Sequence, residues 1–145
     1  MLVDFYHLTA TPLERVLPRI CERLVEDGQR LLVVGEPPLP AALDVQLWSY
    51  SRDAFLPHGL AGEPGAEAQP IRLSAAVEPV NDARNIALAD GKWREEALGF
   101  DRVFYFFDSE RIGDARSSWT NLKGRDELER RYWKQSDRGN WVQGP

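Results

Sequence analysis

The first 35 residues contain a strand, a helix and a second strand in immediate succession, and this order restricts the possible folds more than any other feature. Val3–His7 has the composition of a strand, and Arg30–Val34 is a short apolar run bounded by Gly28 and Gly35. Between them, apolar residues recur at helical spacing at Leu13, Val16, Leu17, Ile20 and Leu24. Because such a crossover joins parallel strands, the pattern predicts an α/β fold with a mostly parallel sheet flanked by helices.

The residues around the first helix predict its ends. Thr11-Pro12-Leu13-Glu14 has the form of a capping box with proline at the first helical position, and Gly28 suits a left-handed helix end. Pro18 lies inside the helix and predicts a kink or a lost backbone hydrogen bond. Cys21 is the only cysteine, so no internal disulfide can form, and its place in the apolar pattern predicts a buried thiol.

Shorter patterns predict the remaining elements. Leu39–Tyr50 and Ser109–Lys123 are predicted helices, and the Gly, Ala, Glu and Pro content of Ala61–Gln69 is typical of a loop. Strands are predicted at Ile71–Ala75, Asn85–Ala89 and Val103–Phe107. The charged and aromatic segment that follows Gly124 is compatible with either a short helix or an edge strand ending near Trp141.

Length and composition predict one soluble domain. The chain has 145 residues, 43% of them hydrophobic, and no apolar run approaches the ~20 residues of a membrane helix. The start, Met1 followed by Leu-Val-Asp-Phe, lacks the features of a secretory signal, so we expect a cytoplasmic protein with no membrane contact. The net charge of −5 argues against broad binding to nucleic acid, so any basic site must be local.

Patterns for catalysis or cofactor binding are sparse. Leu8–Pro12 stands where a dinucleotide site would need G-x-G-x-x-G, and the prolines of the Gly35–Pro38 turn lack N–H donors. We therefore expect a Rossmann-like sheet without a nucleotide-binding glycine loop, with no cofactor, no metal and no catalytic residue. The alternative to a non-enzymatic protein is a nucleotide-binding or nucleotide-processing enzyme that uses the C-terminal edge of the sheet near His7 and Gly35.

An aromatic-rich run, LWSYSRDAFLPHGLAGE at Leu47–Glu63, resembles the L-W-x-x-x-x-x-S/A-F-L/V-P-H-x-L-A-G-E segment of the chi subunit of bacterial DNA polymerase III holoenzyme. The F-Y-H-L segment at Phe5–Leu8 adds to the resemblance, which extends over residues 1–145 as one domain. It implies a non-enzymatic accessory subunit of the replicase. Such a subunit would bridge the clamp-loader complex, through its psi subunit, to the C-terminal tail of single-stranded DNA-binding protein, and would contact DNA mainly indirectly.

The resemblance places the clamp-loader surface in the aromatic run. The tryptophan and phenylalanine that serve this surface in the family fall on Trp48 and Phe55, flanked by Leu56, Pro57 and His58. Large aromatic anchors of this kind concentrate the binding energy of an interface. The implied partner is psi or another clamp-loader subunit, and the alternative for Trp48 is packing against the protein's own sheet.

The resemblance places the tail-binding surface on the last helix. The family's Arg-x-x-aromatic pattern falls on Arg116 and Trp119, three residues apart and therefore on one helical face. Phe107 is a candidate wall for the apolar slot, and Arg111 and Lys123 extend the basic side. At the next position, 120, the family often has lysine or arginine, whereas this chain has threonine.

Two other readings involve the C-terminal segment. A competing alignment gives Arg130, Trp133 and Lys134 the roles of the tail-binding residues. Alternatively, the basic and aromatic residues of Arg130–Lys134 interleave as in proteins that bind single-stranded nucleic acid directly, although Glu127 and Glu129 lie beside them.

Overall fold

A computed structural model of the protein describes residues 1–49, 57–78, 82–125, 127–136, 138 and 140–144, which form an α/β fold. The helices are α1 (Leu13–Glu26), α2 (Leu39–Ser49) and α3 (Ile112–Asn121). The strands are β1 (Leu2–His7), β2 (Leu31–Val34), β3 (His58–Leu60), β4 (Ile71–Ser74), β5 (Asn85–Leu88), β6 (Arg102–Phe107), β7 (Glu129–Gln135) and β8 (Trp141–Gln143).

All eight strands belong to one sheet in the order β3-β4-β2-β5-β6-β1-β7-β8. Neighbouring strands run parallel, except that β8 pairs antiparallel with β7. The first strand therefore lies in the sheet interior, between β6 and β7. The predicted mostly parallel sheet is confirmed, and β2 (LLVV) is a continuous apolar run because it is buried on both faces.

The core is divided by the sheet into two apolar layers. On one face, α1 and α2 pack their buried side chains, including Leu17, Cys21 and Leu43, against the sheet. On the other face, Ala115 of α3 and Leu122 beyond its end pack among side chains of β1, β5 and β6. Burial raises the pKa of the Cys21 thiol to about 12, in keeping with the predicted core role.

The start of α1 differs from the prediction. Pro12 is the N-cap residue, with an extended backbone, and no side chain caps the helix, so the predicted capping box is wrong. The loop before it is held instead by Gln135, whose Oε1 accepts the backbone N–H groups of Thr9, Ala10 and Thr11 at 3.1, 2.9 and 3.0 Å. The loop that leads into the helix is therefore fixed by a residue 124 positions away from Thr11.

The other helix boundaries follow the sequence more closely. Gly28 has a φ of 72°, the left-handed conformation predicted at the end of α1, and the helix continues through the buried Pro18. α2 ends at Ser49 in the part of the chain that the structure describes, and Tyr50 lies outside it. α3 begins at Ile112, after a 3₁₀ turn, and ends before Gly124.

Two further regions form strands. The sequence left a helix or an edge strand open for the segment after Gly124, and the structure forms two strands there, β7 inside the sheet beside β1 and β8 at its edge. The second region is β3 (His58–Leu60), inside the aromatic-rich run Leu47–Glu63, where the sequence predicts no strand. It has only three residues, too few to show an alternating pattern.

A buried carboxylate ties the C-terminal part of the sheet to β1. Asp4 has no exposed surface, and its oxygens accept hydrogen bonds from Arg131 of β7 at 2.7 and 3.1 Å and from Arg102 of β6 at 3.1 and 2.9 Å. The indole N–H of Trp133 donates to the same carboxylate at 3.0 Å. Arg131 stands directly opposite Asp4 in the β1–β7 register, so one side chain joins three adjacent strands.

The partners of Asp4 determine its ionisation. Burial by itself raises the pKa of this carboxyl, but the hydrogen bonds from Arg131, Trp133 and Arg102 outweigh burial and hold the pKa below its usual value of 3.8. A carboxyl whose pKa is lower in the folded state stabilises the fold fully above the unfolded-state pKa. That stabilisation is lost as the pH falls through the folded-state pKa.

Replacing Asp4 with asparagine should remove this stabilisation. The variant leaves two guanidinium groups without their counter-charge, and we expect the free energy of unfolding at neutral pH to fall by about 3 kcal/mol in urea titrations. Because the variant has no carboxylate to protonate, its stability should also decline less between pH 5 and pH 3 than that of the parent.

The matched control is Asp101→Asn. Asp101 and Arg84 are mostly exposed and lie 3.8 Å apart, so this replacement should change stability little. If Asp4→Asn and Asp101→Asn lower the free energy of unfolding equally, the hydrogen bonds of Asp4 do not hold the strands together.

Candidate functional site

A groove between α3 and the sheet is the site best matched to the sequence prediction. It encloses about 440 Å³ and is mainly apolar, with one guanidinium at its rim. The residues that line this α3 groove are Phe107, Ile112, Ala115, Arg116, Trp119, Thr120 and Tyr132.

The sequence of α3 brings its backbone close to the sheet. Asp108 accepts a hydrogen bond from the Glu110 backbone N–H at 3.0 Å and so caps the 3₁₀ turn that leads into the helix. The small residues Ala115 and Ser118 are buried on the inner face of the helix. One turn beyond Ala115, Trp119 lies edge-on to Phe5, with ring centroids 5.2 Å apart.

Arg116 and Trp119 are brought together as predicted. Arg116 is exposed at the rim of the α3 groove, and Trp119 is half-buried in it, edge-on to the Tyr132 ring at 6.1 Å. The guanidinium of Arg130 stacks 4.1 Å from the Trp119 ring centroid and donates to the Trp119 carbonyl, which fixes the indole. The groove therefore has rigid aromatic walls and a cationic rim.

Tyr132 lines the α3 groove and also contacts His7. The Tyr132 hydroxyl lies 3.1 Å from His7 Nδ1, and the His7 ring stacks on Phe107 with centroids 4.9 Å apart. Burial lowers the pKa of His7, the carboxylate of Asp108 opposes this shift, and the nearby charge of Arg116 lowers the pKa further. Burial raises the pKa of the Tyr132 hydroxyl, so both groups are neutral near pH 7.

The structure separates two predicted tail-binding residues from this groove. Arg111 pairs with Asp114 at 3.3 Å and lines a neighbouring crevice at the C-terminal ends of β1, β5 and β6. Lys123 is exposed in the turn after α3 and does not line the groove. Sequence reasoning missed the groove-lining role of Tyr132, because only the non-local pairing of β7 with β1 places this residue opposite α3.

Successive side chains of β7 point to opposite faces of the sheet. This separates the residues named in the two hypotheses for the C-terminal segment. Arg130 and Tyr132 face α3, whereas Arg131 and Trp133 face the opposite side and bind Asp4. The competing alignment therefore does not place its arginine and tryptophan on one surface. The same alternation divides the basic and aromatic residues proposed to bind nucleic acid.

A second surface lies on α2. Val45 and Trp48, one helical turn apart, are each 61% exposed, and we call them the α2 patch. The Trp48 ring packs on His58, with centroids 4.6 Å apart, rather than into the core.

His58 is buried at the start of β3, and its Nε2 lies 3.1 Å from Asp44 Oδ1. Pro57 is half-buried, and the predicted anchor Phe55 and its neighbour Leu56 lie outside the described residues.

The sheet does not bring together the two positions named for a nucleotide enzyme. β1, which ends at His7, and β2, which precedes Gly35, are separated in the sheet by β5 and β6, a distance of about 14 Å at the usual strand spacing. The crevice beside His7 is lined by Asp90, Asp108 and Arg111, and the Asp90 carboxylate is already bound to Arg94 at 2.8 Å.

The described residues lack the side-chain clusters of a metal site and the long apolar helix of a membrane span. They contain no group of three or more His, Cys, Asp and Glu side chains that could hold a metal ion. Within the same residues, no helix combines the length and the apolar character needed to cross a membrane.

Comparison with known proteins identifies one family. The family model described as DNA polymerase III chi subunit, HolC, matches residues 1–129, which is most of the chain. No curated protein matches the chain.

The geometry of the α3 groove predicts how His7 titrates. When His7 is titrated by NMR, the midpoint of its ring protonation should lie below pH 6.5. Arg116→Gln should raise this midpoint, because it removes a nearby positive charge, and Asp108→Asn should lower it, because it removes the opposing carboxylate.

Lys123→Gln is the matched control, since it removes a positive charge from the same segment outside the groove. A His7 midpoint that responds equally to Arg116→Gln and Lys123→Gln would contradict the placement of Arg116 beside His7.

Proposed function

The chain belongs to the DNA polymerase III chi subunit family, and we propose that it bridges the clamp loader to the C-terminal tail of single-stranded DNA-binding protein. The family supports an accessory role in replication, not a catalytic one. The observation that carries the bridging proposal is the α3 groove, in which Arg116 stands at the rim of an apolar slot beside Trp119.

The chemistry of the α3 groove suits the end of an acidic tail. The expected ligand closes with a phenylalanine whose ring needs an apolar slot and whose terminal carboxylate needs a cation. Phe107, Ile112 and Tyr132 supply the slot, and Arg116 supplies a guanidinium at its rim. Because the Tyr132 hydroxyl is neutral near pH 7, this wall of the slot presents no charge to the ring.

The clamp-loader contact is proposed for the α2 patch and the residues that follow it. The Trp48 ring packs on His58 yet remains 61% exposed. A fixed, exposed tryptophan of this kind can be buried by a partner protein and so anchor an interface. Val45 extends the apolar surface by one helical turn. Phe55, Leu56 and Pro57 continue the proposed interface in sequence, and the partner is psi or another clamp-loader subunit.

We further propose that residues 1–145 are one Rossmann-like domain without a nucleotide-binding glycine loop. The β1–α1 loop supports this reading, since its N–H groups at Thr9, Ala10 and Thr11 already bind Gln135 Oε1. These donors are therefore occupied where a dinucleotide-binding loop would present them to phosphate.

The tail-binding proposal is tested with an acidic peptide ending in Asp-Ile-Pro-Phe. Arg116→Ala should weaken binding by about 10- to 100-fold in isothermal titration calorimetry, because a charge-assisted contact is lost. Amidation of the peptide carboxylate should weaken binding to the parent protein but add little to the effect of Arg116→Ala.

Arg125→Ala is the control, because Arg125 is exposed, pairs with Glu95 and lies outside the α3 groove. Thr120→Arg should strengthen peptide binding, since it adds a cation at a lining position. Unchanged affinity in Arg116→Ala would remove the α3 groove from the proposal.

The clamp-loader proposal is tested with Trp48→Ala. Loss of an aromatic anchor should weaken binding to purified psi, or to the clamp-loader assembly, by ≥ ~2 kcal/mol in surface plasmon resonance. Peptide binding at the α3 groove should not change.

Val142→Ala is the control, because Val142 is an exposed apolar residue of β8 remote from α2 in the sheet order. If Trp48→Ala and Val142→Ala bind the clamp-loader proteins equally well, the α2 patch is not the interface.

A further inference from the structure

A basic cleft lies between α1 and the turn that precedes β8. Arg15, Arg19 and Arg23 of α1 form one wall, and Arg138 comes from the turn, so four guanidinium groups border a cleft of about 690 Å³. Trp141 of β8 also lines it. We call this site the α1 cleft.

The cations of the α1 cleft are not neutralised within the described part of the chain. There, Arg15, Arg19, Arg23 and Arg138 have no carboxylate within salt-bridge distance. Elsewhere arginines pair, as Arg94 does with Asp90 at 2.8 Å. In a chain whose net charge is −5, this cleft is a local concentration of positive charge.

The spacing of the arginines matches a repeating anion. Positions 15, 19 and 23 are four residues apart, so they follow one side of α1 with a rise of about 6 Å between neighbours. Consecutive phosphates along a nucleic-acid strand are separated by a comparable distance. All three arginines are exposed on the helix, so their guanidinium groups can reach a strand in the cleft.

The aromatic component of the cleft favours nucleic acid over an acidic peptide. Trp141 is half-buried, its ring packs edge-on to Tyr6 with centroids 5.1 Å apart, and it lines the same cleft as the arginines. A positively charged groove combined with an aromatic side chain is typical of proteins that bind single-stranded nucleic acid without sequence preference.

We propose that the α1 cleft binds the backbone of single-stranded DNA directly. The contact is independent of the α3 groove, because α1 and α3 cover opposite faces of the sheet. It differs from the C-terminal strand segment considered in the sequence, in which Arg131 is already bound to Asp4. The protein thus has a weak, salt-sensitive DNA contact in addition to its protein partners.

The test measures fluorescence anisotropy of a labelled oligothymidylate with the full chain over a range of salt concentrations. The variant Arg15→Gln/Arg19→Gln/Arg23→Gln should bind at least tenfold more weakly at low salt. Its slope of log affinity against log salt should be shallower by about 2, from about 0.7 for each phosphate contact removed.

The matched control, Arg84→Gln/Lys123→Gln/Arg125→Gln, removes the same charge from exposed positions outside the cleft and should change affinity less than twofold. Arg116→Ala should leave DNA binding unchanged, which separates this site from the α3 groove. Circular dichroism checks that both triple variants are folded.

Three results would overturn the proposal: no binding of the oligonucleotide by the parent at low salt, equal weakening by the two triple variants, or displacement by oligoglutamate at equal charge concentration. The last would assign the cleft to acidic peptides.

Discussion

The buried carboxylate of Asp4 is the interaction on which the functional part of the structure depends. It binds Arg102 and Arg131 from the two strands that flank β1 and is itself fully buried. A buried carboxylate of this kind is stable only while both cationic partners are present, so it favours one register of β7 on β1. That register turns Tyr132 toward α3 and completes the α3 groove.

The sheet order separates the surfaces that this account assigns to different partners. α2 contacts β3 and β4 at one end of the sheet, whereas β7 and β8 form the other end. At that second end, the α3 groove and the α1 cleft lie on opposite faces. A clamp-loader protein on α2, an acidic tail under α3 and a DNA strand beside α1 would therefore occupy three distinct surfaces. This arrangement suits a bridging subunit better than one shared pocket would.

The sequence predicted the elements whose signals are local and missed those that depend on distant contacts. The first crossover and the strand ending at Phe107 follow from local patterns. Arg116 and Trp119 were identified by the family resemblance, and their three-residue spacing predicts that they share one helical face. The place of Tyr132 in the groove could not be predicted in the same way, since it depends on the pairing of β7 with β1, in which Asp4 and Arg131 are 127 residues apart. The failed capping box has a similar cause, because Gln135 of β7 instead holds the loop before the helix by accepting the N–H groups of Thr9, Ala10 and Thr11.

The central claim is that the α3 groove receives the terminal phenylalanine of an acidic tail. The most direct measurement is an NMR study of the protein bound to such a peptide, with intermolecular nuclear Overhauser effects recorded from the labelled phenylalanine ring. We expect contacts from that ring to Ile112, Trp119 and Tyr132. Contacts to Trp48 on α2 or to Trp141 in the α1 cleft, with none to α3, would contradict this claim.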